Sequence, residues 1–152
     1  MGQVLILEDD ASMHPLLEQI IKKSDLKLKI EPIETEAEFR KWLASYNKNK
    51  RPDIFVIDVM LRWTDPDPGQ PPRPPDVIEG GFMRAGLRCL KLIRMHPSLY
   101  NTPIIFLTTL TKKNLDDLGA KLESDSRVEV LHKGNLEQLP ARIRMALASA
   151  HV

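Results

Sequence analysis

The sequence predicts an α/β fold built on a parallel sheet, and three observations carry that prediction. Short apolar runs alternate with longer segments of helical period in five pairs, the pattern of successive βαβ units. The most hydrophobic run, Ile54-Phe55-Val56-Ile57, has no polar residue between its members, as expected of a strand covered on both faces. Two other strand-like segments do alternate, which places them at the edges of the sheet.

The first strand covers about Gln3–Glu8, and the helix after it, Met13–Lys23, carries an apolar stripe of Met13, Leu16, Leu17, Ile20 and Ile21. Pro15 fits only in its first turn. Leu26–Ile33 alternates, with Lys27, Lys29 and Glu31 between Leu26, Leu28 and Ile30, so it is an edge strand. Thr35 and Glu38 form a capping-box pattern that opens a helix with Phe39, Trp42, Leu43 and Tyr46. Asp53–Asp58 is the third and central strand. A helix around Phe82–His96 packs Phe82, Leu87, Leu90 and Ile93 and is ended by Pro97. Pro103–Thr108 is the fourth strand, Asn114–Leu122 a shorter helix, and Arg127–Lys133 the fifth strand at the other edge. Asn135 with Gln138 caps a last helix that ends near Ser149.

Thr64–Gly81 interrupts this rhythm. It holds six of the twelve prolines and almost no apolar residue before Val77. Proline lacks the backbone donor and locks φ, so the segment is expected to be neither helix nor ladder strand but an extended, partly polyproline-II surface loop. Two readings stand open: an insertion tolerated because loop length costs little stability, or a docking segment or lid whose prolines reduce the entropy lost on binding. Asp65, Asp67 and Asp76 read as solvating charges.

A length of 152 residues suits one domain with one core, which buries about 68–70% of the unfolded chain's surface. Lys and Arg total 22 against 21 Asp and Glu, a net charge of +1 that argues against wrapping nucleic acid or gripping an anionic membrane. The lone Cys89 cannot form an internal disulfide, and no Cys/His cluster has zinc spacing. No signal peptide is evident, and no apolar run approaches the roughly 20 residues that span a bilayer. A soluble, cytoplasmic protein is expected. After the last helix only His151 and Val152 remain, so no output domain is expected.

The first and third strands both end in carboxylates, Glu8-Asp9-Asp10 and Asp58. Ligands of open parallel sheets bind beyond the carboxyl ends of the strands, so these acids belong to one pocket. If Glu8, Asp9 and Asp58 converge within about 4–6 Å, each like-charge pair costs a few kcal/mol and the cluster needs a cation or a proton. An all-oxygen donor set favours Mg²⁺ or Mn²⁺ over zinc. Thr108 and Lys133 end strands on the same side, and a hydroxyl and an ammonium there can hold phosphoryl oxygens. Asp58 is the nucleophile candidate of a metal-assisted phosphoryl-acceptor site. Asp10 reads as a cap of the following helix.

Taken together, Val4–Asp10, Asp53–Leu61, Pro103–Thr108 and Val130–Lys133 resemble the receiver domain of two-component response regulators, over nearly the whole chain except the proline segment. The resemblance implies a flavodoxin-like sheet of five parallel strands in the order 2-1-3-4-5, a single receiver domain over residues 1–152 and an insertion at about 64–81. It implies that Asp58 accepts a phosphoryl group from a histidine kinase or histidine phosphotransfer protein. Asp9 would bind Mg²⁺ directly and Glu8 through water, with the Met60 carbonyl a further ligand, while Thr108 and Lys133 would bind phosphoryl oxygens. Output would be a population shift toward a downstream protein target or a homodimer through the fourth helix, fifth strand and fifth helix.

This chain departs from the family at three places. Gly134 follows Lys133 where proline, often after a cis bond, is common, so the turn is expected to take another path. Val130 occupies the usual aromatic switch position. Thr109 stands where a small residue usually leaves room for the phosphodonor. Met60 and Leu110, both apolar, flank the expected path of attacking water and predict slow hydrolysis of the phosphorylated form. The main rival reading is a receiver-like interaction module that signals without phosphate. An aspartyl-phosphate hydrolase would need an acid where Met60 stands, and a flavodoxin-type cofactor site would need a phosphate loop where Glu8-Asp9-Asp10 repels phosphate.

Overall fold

The computed structural model describes residues 2–66, 68–119 and 122–150, without the side chain of residue 123. Asp67, His151 and Val152 lie outside these. Five parallel strands, β1 (Gly2–Leu7), β2 (Leu28–Ile33), β3 (Ile54–Asp58), β4 (Ile104–Thr108) and β5 (Val128–His132), form one sheet in the order β2-β1-β3-β4-β5. The order is the one the resemblance implies, and the two edges are those expected from polarity. Six helices accompany it: α1 (Met13–Lys23), α2 (Glu36–Ala44), α3 (Pro75–Gly80), α4 (Ala85–Met95), α5 (Lys112–Asp117) and α6 (Leu139–Ala150).

The period-2 geometry of the strands divides the core in two. Leu5, Leu7, Phe55, Ile57, Ile104 and Phe106 form one cluster with Phe39 of α2 and Ile93 of α4. Their sequence neighbours Val4, Ile6, Ile54, Val56, Ile105 and Leu107 form the other with Leu17 and Ile21 of α1 and Ile143 of α6. Both faces of β3 and β4 are therefore buried, which is why these runs show no alternation. At the edges, Pro32 of β2 is exposed where its missing donor leaves no ladder bond unmade. In β5 only Leu131 is fully buried; Val130 and His132 face outward.

Several expected elements differ in detail. The proline segment contains a helix after all: Pro75 occupies the first position of α3, where its missing N–H would be unpaired in any case, and Asp76 sits in the favourable first turn. Val77 plugs this helix into the protein at 4% exposure, and Gly81 at φ 69° turns the chain out of it. Phe82 does not pack in the core. It lies in a 3₁₀ turn at 61% exposure, and α4 starts at Ala85. The helix after β4 starts earlier than expected, at Lys112, because Thr111 and Asn114 form a complete capping box there, and it ends at Asp117, shortly before Gly119 turns the chain at φ 77°. Thr35 caps α2 through Glu38 N, but the Glu38 carboxylate reaches back to the Glu34 N–H instead of that of Thr35. Asn135 does not cap α6; it lies inside a 3₁₀ turn, Lys133–Gln138.

The proline segment is tied down. Arg62 and Trp63 carbonyls accept from the Glu36 and Ala37 amides, satisfying otherwise orphaned donors at the start of α2. Buried Glu36 holds Arg88 through two bonds of 2.6 and 2.9 Å and Arg40 at 3.1 Å, and Arg40 reaches Asp76 at 2.8 Å. The Trp63 indole N–H donates to the Pro71 carbonyl at 3.0 Å, with the Arg40 guanidinium 5.6 Å from the ring centroid. Among the described residues no helix is long and apolar enough to cross a membrane.

Candidate functional site

Parallel pairing brings the carboxyl ends of β1, β3, β4 and β5 to one rim. Leu7 pairs with Ile57, Asp58 with Leu107 and Thr108 with His132, so Glu8, Asp58, Thr108 and Lys133 emerge within one or two residues of the same level. Ligand atoms of Glu8, Asp9 and Asp58 lie within 4.8 Å of one another. This is the convergence expected from the sequence. Asp10 stays outside it, exposed, accepting from the Ser12 N–H and hydroxyl in a turn that leads into α1.

Each carboxylate is oriented. Asp58, 5% exposed, accepts from Met60 N at 3.0 Å on Oδ1 and from Lys133 Nζ at 2.7 Å on Oδ2. Lys133 Nζ also lies 3.0 Å from Glu8 Oε2 and 3.2 Å from Glu8 Oε1. The half-buried Asp9 accepts from Arg62 N on Oδ2, and its backbone carbonyl accepts from the Arg62 guanidinium. Thr108, fully buried, accepts from Leu110 N through its hydroxyl oxygen at 2.9 Å, and so shapes the loop after β4.

The electrostatics follow from this crowding. Burial, then the charge of Asp58, pushes the Glu8 carboxyl up to about 7 against the pull of Lys133. Burial alone would lower the Lys133 ammonium, but its bonds to Asp58 and Glu8 prevail and raise it. Three carboxylates against one ammonium leave a formal charge of −2 when all are ionised, which suits a divalent cation. Glu8 Oε2 is buried and accepts no hydrogen bond beyond its 3.0 Å ion pair with Lys133 Nζ. Among the described residues nothing donates to the Met60 carbonyl. The donor set, oxygens only, fits Mg²⁺ or Mn²⁺.

Three residues that sequence reasoning did not single out complete the site. Gly86 in α4 lets that helix approach β3: a Cβ there would stand 2.5 Å from the Asp58 carbonyl oxygen and 2.7 Å from Val59 Cα, and Gly86 N donates to the Val59 carbonyl. A lone glycine inside a helical pattern was the available signal. Arg62 secures Asp9, with no signal in its spacing. His132, the residue before Lys133, bonds on both sides of its ring, to the Thr109 carbonyl and the Gly134 amide.

No family model matches this sequence, and no curated protein matches it. Solved structures do. A signal receiver domain of a signal transduction histidine kinase from Syntrophus aciditrophicus is 20% identical, with a TM-score of 0.67 over 98% of this chain and 92% of that one. A signal receiver domain of a two-component histidine kinase from Clostridium thermocellum is 15% identical, with a TM-score of 0.68 over 96% and 97%. The Mn²⁺-bound form of response regulator Rcp1 is 19% identical, with a TM-score of 0.61 over 97% and 91%. The chain has the receiver fold across nearly its whole length.

Proposed function

We propose that this protein is a phosphoacceptor receiver of a two-component phosphorelay. The observation that carries the reading is Lys133 Nζ held between Asp58 and Glu8 at the carboxyl rim of a receiver-type sheet, beside a third carboxylate, Asp9. A receiver needs a carboxylate nucleophile, a cation site beside it, and a fixed ammonium. These residues supply all three.

In the proposed reaction an Asp58 carboxylate oxygen attacks the phosphorus of a phosphohistidine on a histidine kinase or histidine phosphotransfer protein. The O–P bond forms, the P–N bond breaks, and the imidazole nitrogen keeps the electron pair and takes a proton. Glu8, Asp9, Asp58 and the Met60 carbonyl would hold Mg²⁺ or Mn²⁺, which supplies neutralisation of the negative phosphoryl group. Lys133 pairs with a phosphoryl oxygen, and the Thr108 hydroxyl, whose oxygen accepts from Leu110 N, donates its proton to another. Turning the Thr108 side chain toward the phosphoryl group would draw that oxygen away from Leu110 N and give the loop after β4 a second state. The exposed Val130 lines a groove of about 540 Å³ between α5 and α6, which offers a face for a downstream protein target or a second copy. The whole chain then acts as one receiver domain, and the absence of any spanning helix among the described residues is consistent with the cytoplasm.

The test is phosphotransfer from a phosphorylated histidine kinase or phosphotransfer protein in Mg²⁺. Label should pass to the wild type and not to Asp58→Asn; equal labelling of both, or of neither by any donor, contradicts the proposal. One observation favours a second reading, signalling without phosphate: Val130, at the usual aromatic switch position, is aliphatic and 42% exposed, so no aromatic side chain there can follow Thr108 inward. Partner binding by Asp58→Asn equal to that of the phosphorylated wild type would select it.

A further inference from the structure

His132 has an arrangement that its exposed position at an edge strand does not require. Its Nδ1 accepts from Gly134 N at 2.9 Å, the bond of a residue capping the 3₁₀ turn Lys133–Gln138. Its Nε2 lies 3.1 Å from the Thr109 carbonyl oxygen. A carbonyl only accepts and an amide N–H only donates, so both bonds together require the neutral ring with its proton on Nε2. The two partners belong to different loops. Thr109 follows Thr108 at the end of β4, and Gly134 follows Lys133 at the end of β5.

The residue at 134 is matched to this ring. A Cβ on Gly134 would stand 3.0 Å from His132 Nδ1, tighter than ordinary contact. Proline, common in receiver domains after this lysine, has no N–H to donate. Glycine supplies both the donor and the room. The Lys133–Gly134 bond is trans, as are all peptide bonds among the described residues.

We propose that His132 is a positioning residue of the phosphoacceptor site, its ring clasping the Thr109 carbonyl and the Gly134 amide so that Thr108 and Lys133 are held in one register beside Asp58. The inference rests on the phosphoacceptor reading above. Lys133 must span from the strand end to Asp58 Oδ2 on a flexible four-carbon stem, and fixing the backbone on its C-terminal side limits where that stem starts. Any displacement of the Thr108 loop is likewise passed to the Lys133 turn through the ring. That is a route from hydroxyl to strand β5 that uses no aromatic at Val130.

The two arms can be separated by substitution. Asn at 132 offers an oxygen where Nδ1 stands and restores the Gly134 arm; Gln offers an N–H near the place of Nε2 and restores the Thr109 arm; Ala restores neither. With acetyl phosphate and Mg²⁺, phosphorylation of His132→Ala should be about tenfold slower than wild type, the scale of a small misplacement of a catalytic group. His132→Asn and His132→Gln should fall between, at unchanged melting temperature. Ring ¹⁵N shifts of the wild type should report the Nε2–H tautomer, and Gly134 amide exchange should be slow in wild type and His132→Asn but fast in His132→Ala. A rate for His132→Ala within twofold of wild type overturns the inference, as does the opposite tautomer. If the wild type takes no phosphoryl group, the functional reading fails by itself, and a Gly134 amide equally protected in wild type and His132→Ala then sinks the clasp separately.

Discussion

Lys133 Nζ lies 2.7 Å from Asp58 Oδ2 and 3.0 Å from Glu8 Oε2, so one ammonium offsets two buried carboxylates contributed by different strands. Replacing it by Met leaves three acids with no internal counter-charge. Lys133→Met is expected to lose about 1–3 kcal/mol of metal-free stability at pH 8, since removing one partner of a buried pair strands the other. Divalent-ion affinity should rise or hold, because a competing cation is gone, while phosphorylation slows at least about tenfold. Denaturant melts with and without Mg²⁺, beside acetyl-phosphate kinetics, separate these effects; weaker metal binding in the variant contradicts the arrangement.

Glu8 gives the site a pH dependence with a definite sign. Its folded pKa of about 7 lies above the unfolded value, so between the two the folded state binds the extra proton. Metal-free stability is therefore fully present below pH 4.5 and is lost as pH rises through about 7, by an amount on the order of 3 kcal/mol. Metal requires the ionised form, so Mg²⁺ affinity should increase from pH 6 to pH 8 with release of a proton. Calorimetry in two buffers of different ionisation enthalpy measures that proton. Glu8→Gln should flatten the stability slope; an unchanged slope would locate it elsewhere.

Gly86→Ala tests how closely α4 may approach the phosphoacceptor strand. The new methyl would meet the backbone at Asp58 and Val59, and overpacking of this kind costs about 1–3 kcal/mol. Thermal melts should show that loss, with slower phosphorylation because the Asp58 backbone has shifted. Wild-type stability would mean the helix yields freely.

Glu36 is one anchor of the proline segment, through Arg40 to Asp76. Glu36→Gln should destabilise by about 3 kcal/mol or more, leaving the Arg88 guanidinium largely buried without its anion, whereas Asp76→Asn removes only a half-exposed pair and should cost less than about 1 kcal/mol. Equal melting curves for the two variants would contradict the assignment of Glu36 as an anchor.

Met60 and Leu110 are half-buried beside Asp58 and Thr108. Replacing each by Ser admits water and is expected to shorten the phosphoryl lifetime several-fold, read from loss of the phosphorylated mass with time. Unchanged lifetimes would show that these side chains do not limit hydrolysis.

The edge and central strands and the joining of Glu8, Asp9 and Asp58 were legible because they follow from periodicity and from where parallel strands end, while the full strand order came from the family resemblance. What escaped depended on partners distant in sequence. Proline density argued against helix from Thr64 to Gly81, yet Pro75 at a first helical position costs nothing and Val77 finds a buried seat. Phe82 is apolar and in phase with α4, but the Gly81 turn swings it outward. His132 gave no signal in its place on an edge strand, since only the folded loops bring the Thr109 carbonyl to its ring.

The most direct measurement is intact and peptide mass spectrometry after acetyl phosphate treatment in saturating Mg²⁺. One phosphoryl group is expected, on Asp58, absent in Asp58→Asn and absent without divalent ion. A phosphoryl group on any other residue, or none on a folded wild-type chain, contradicts the assignment of Asp58 as phosphoacceptor.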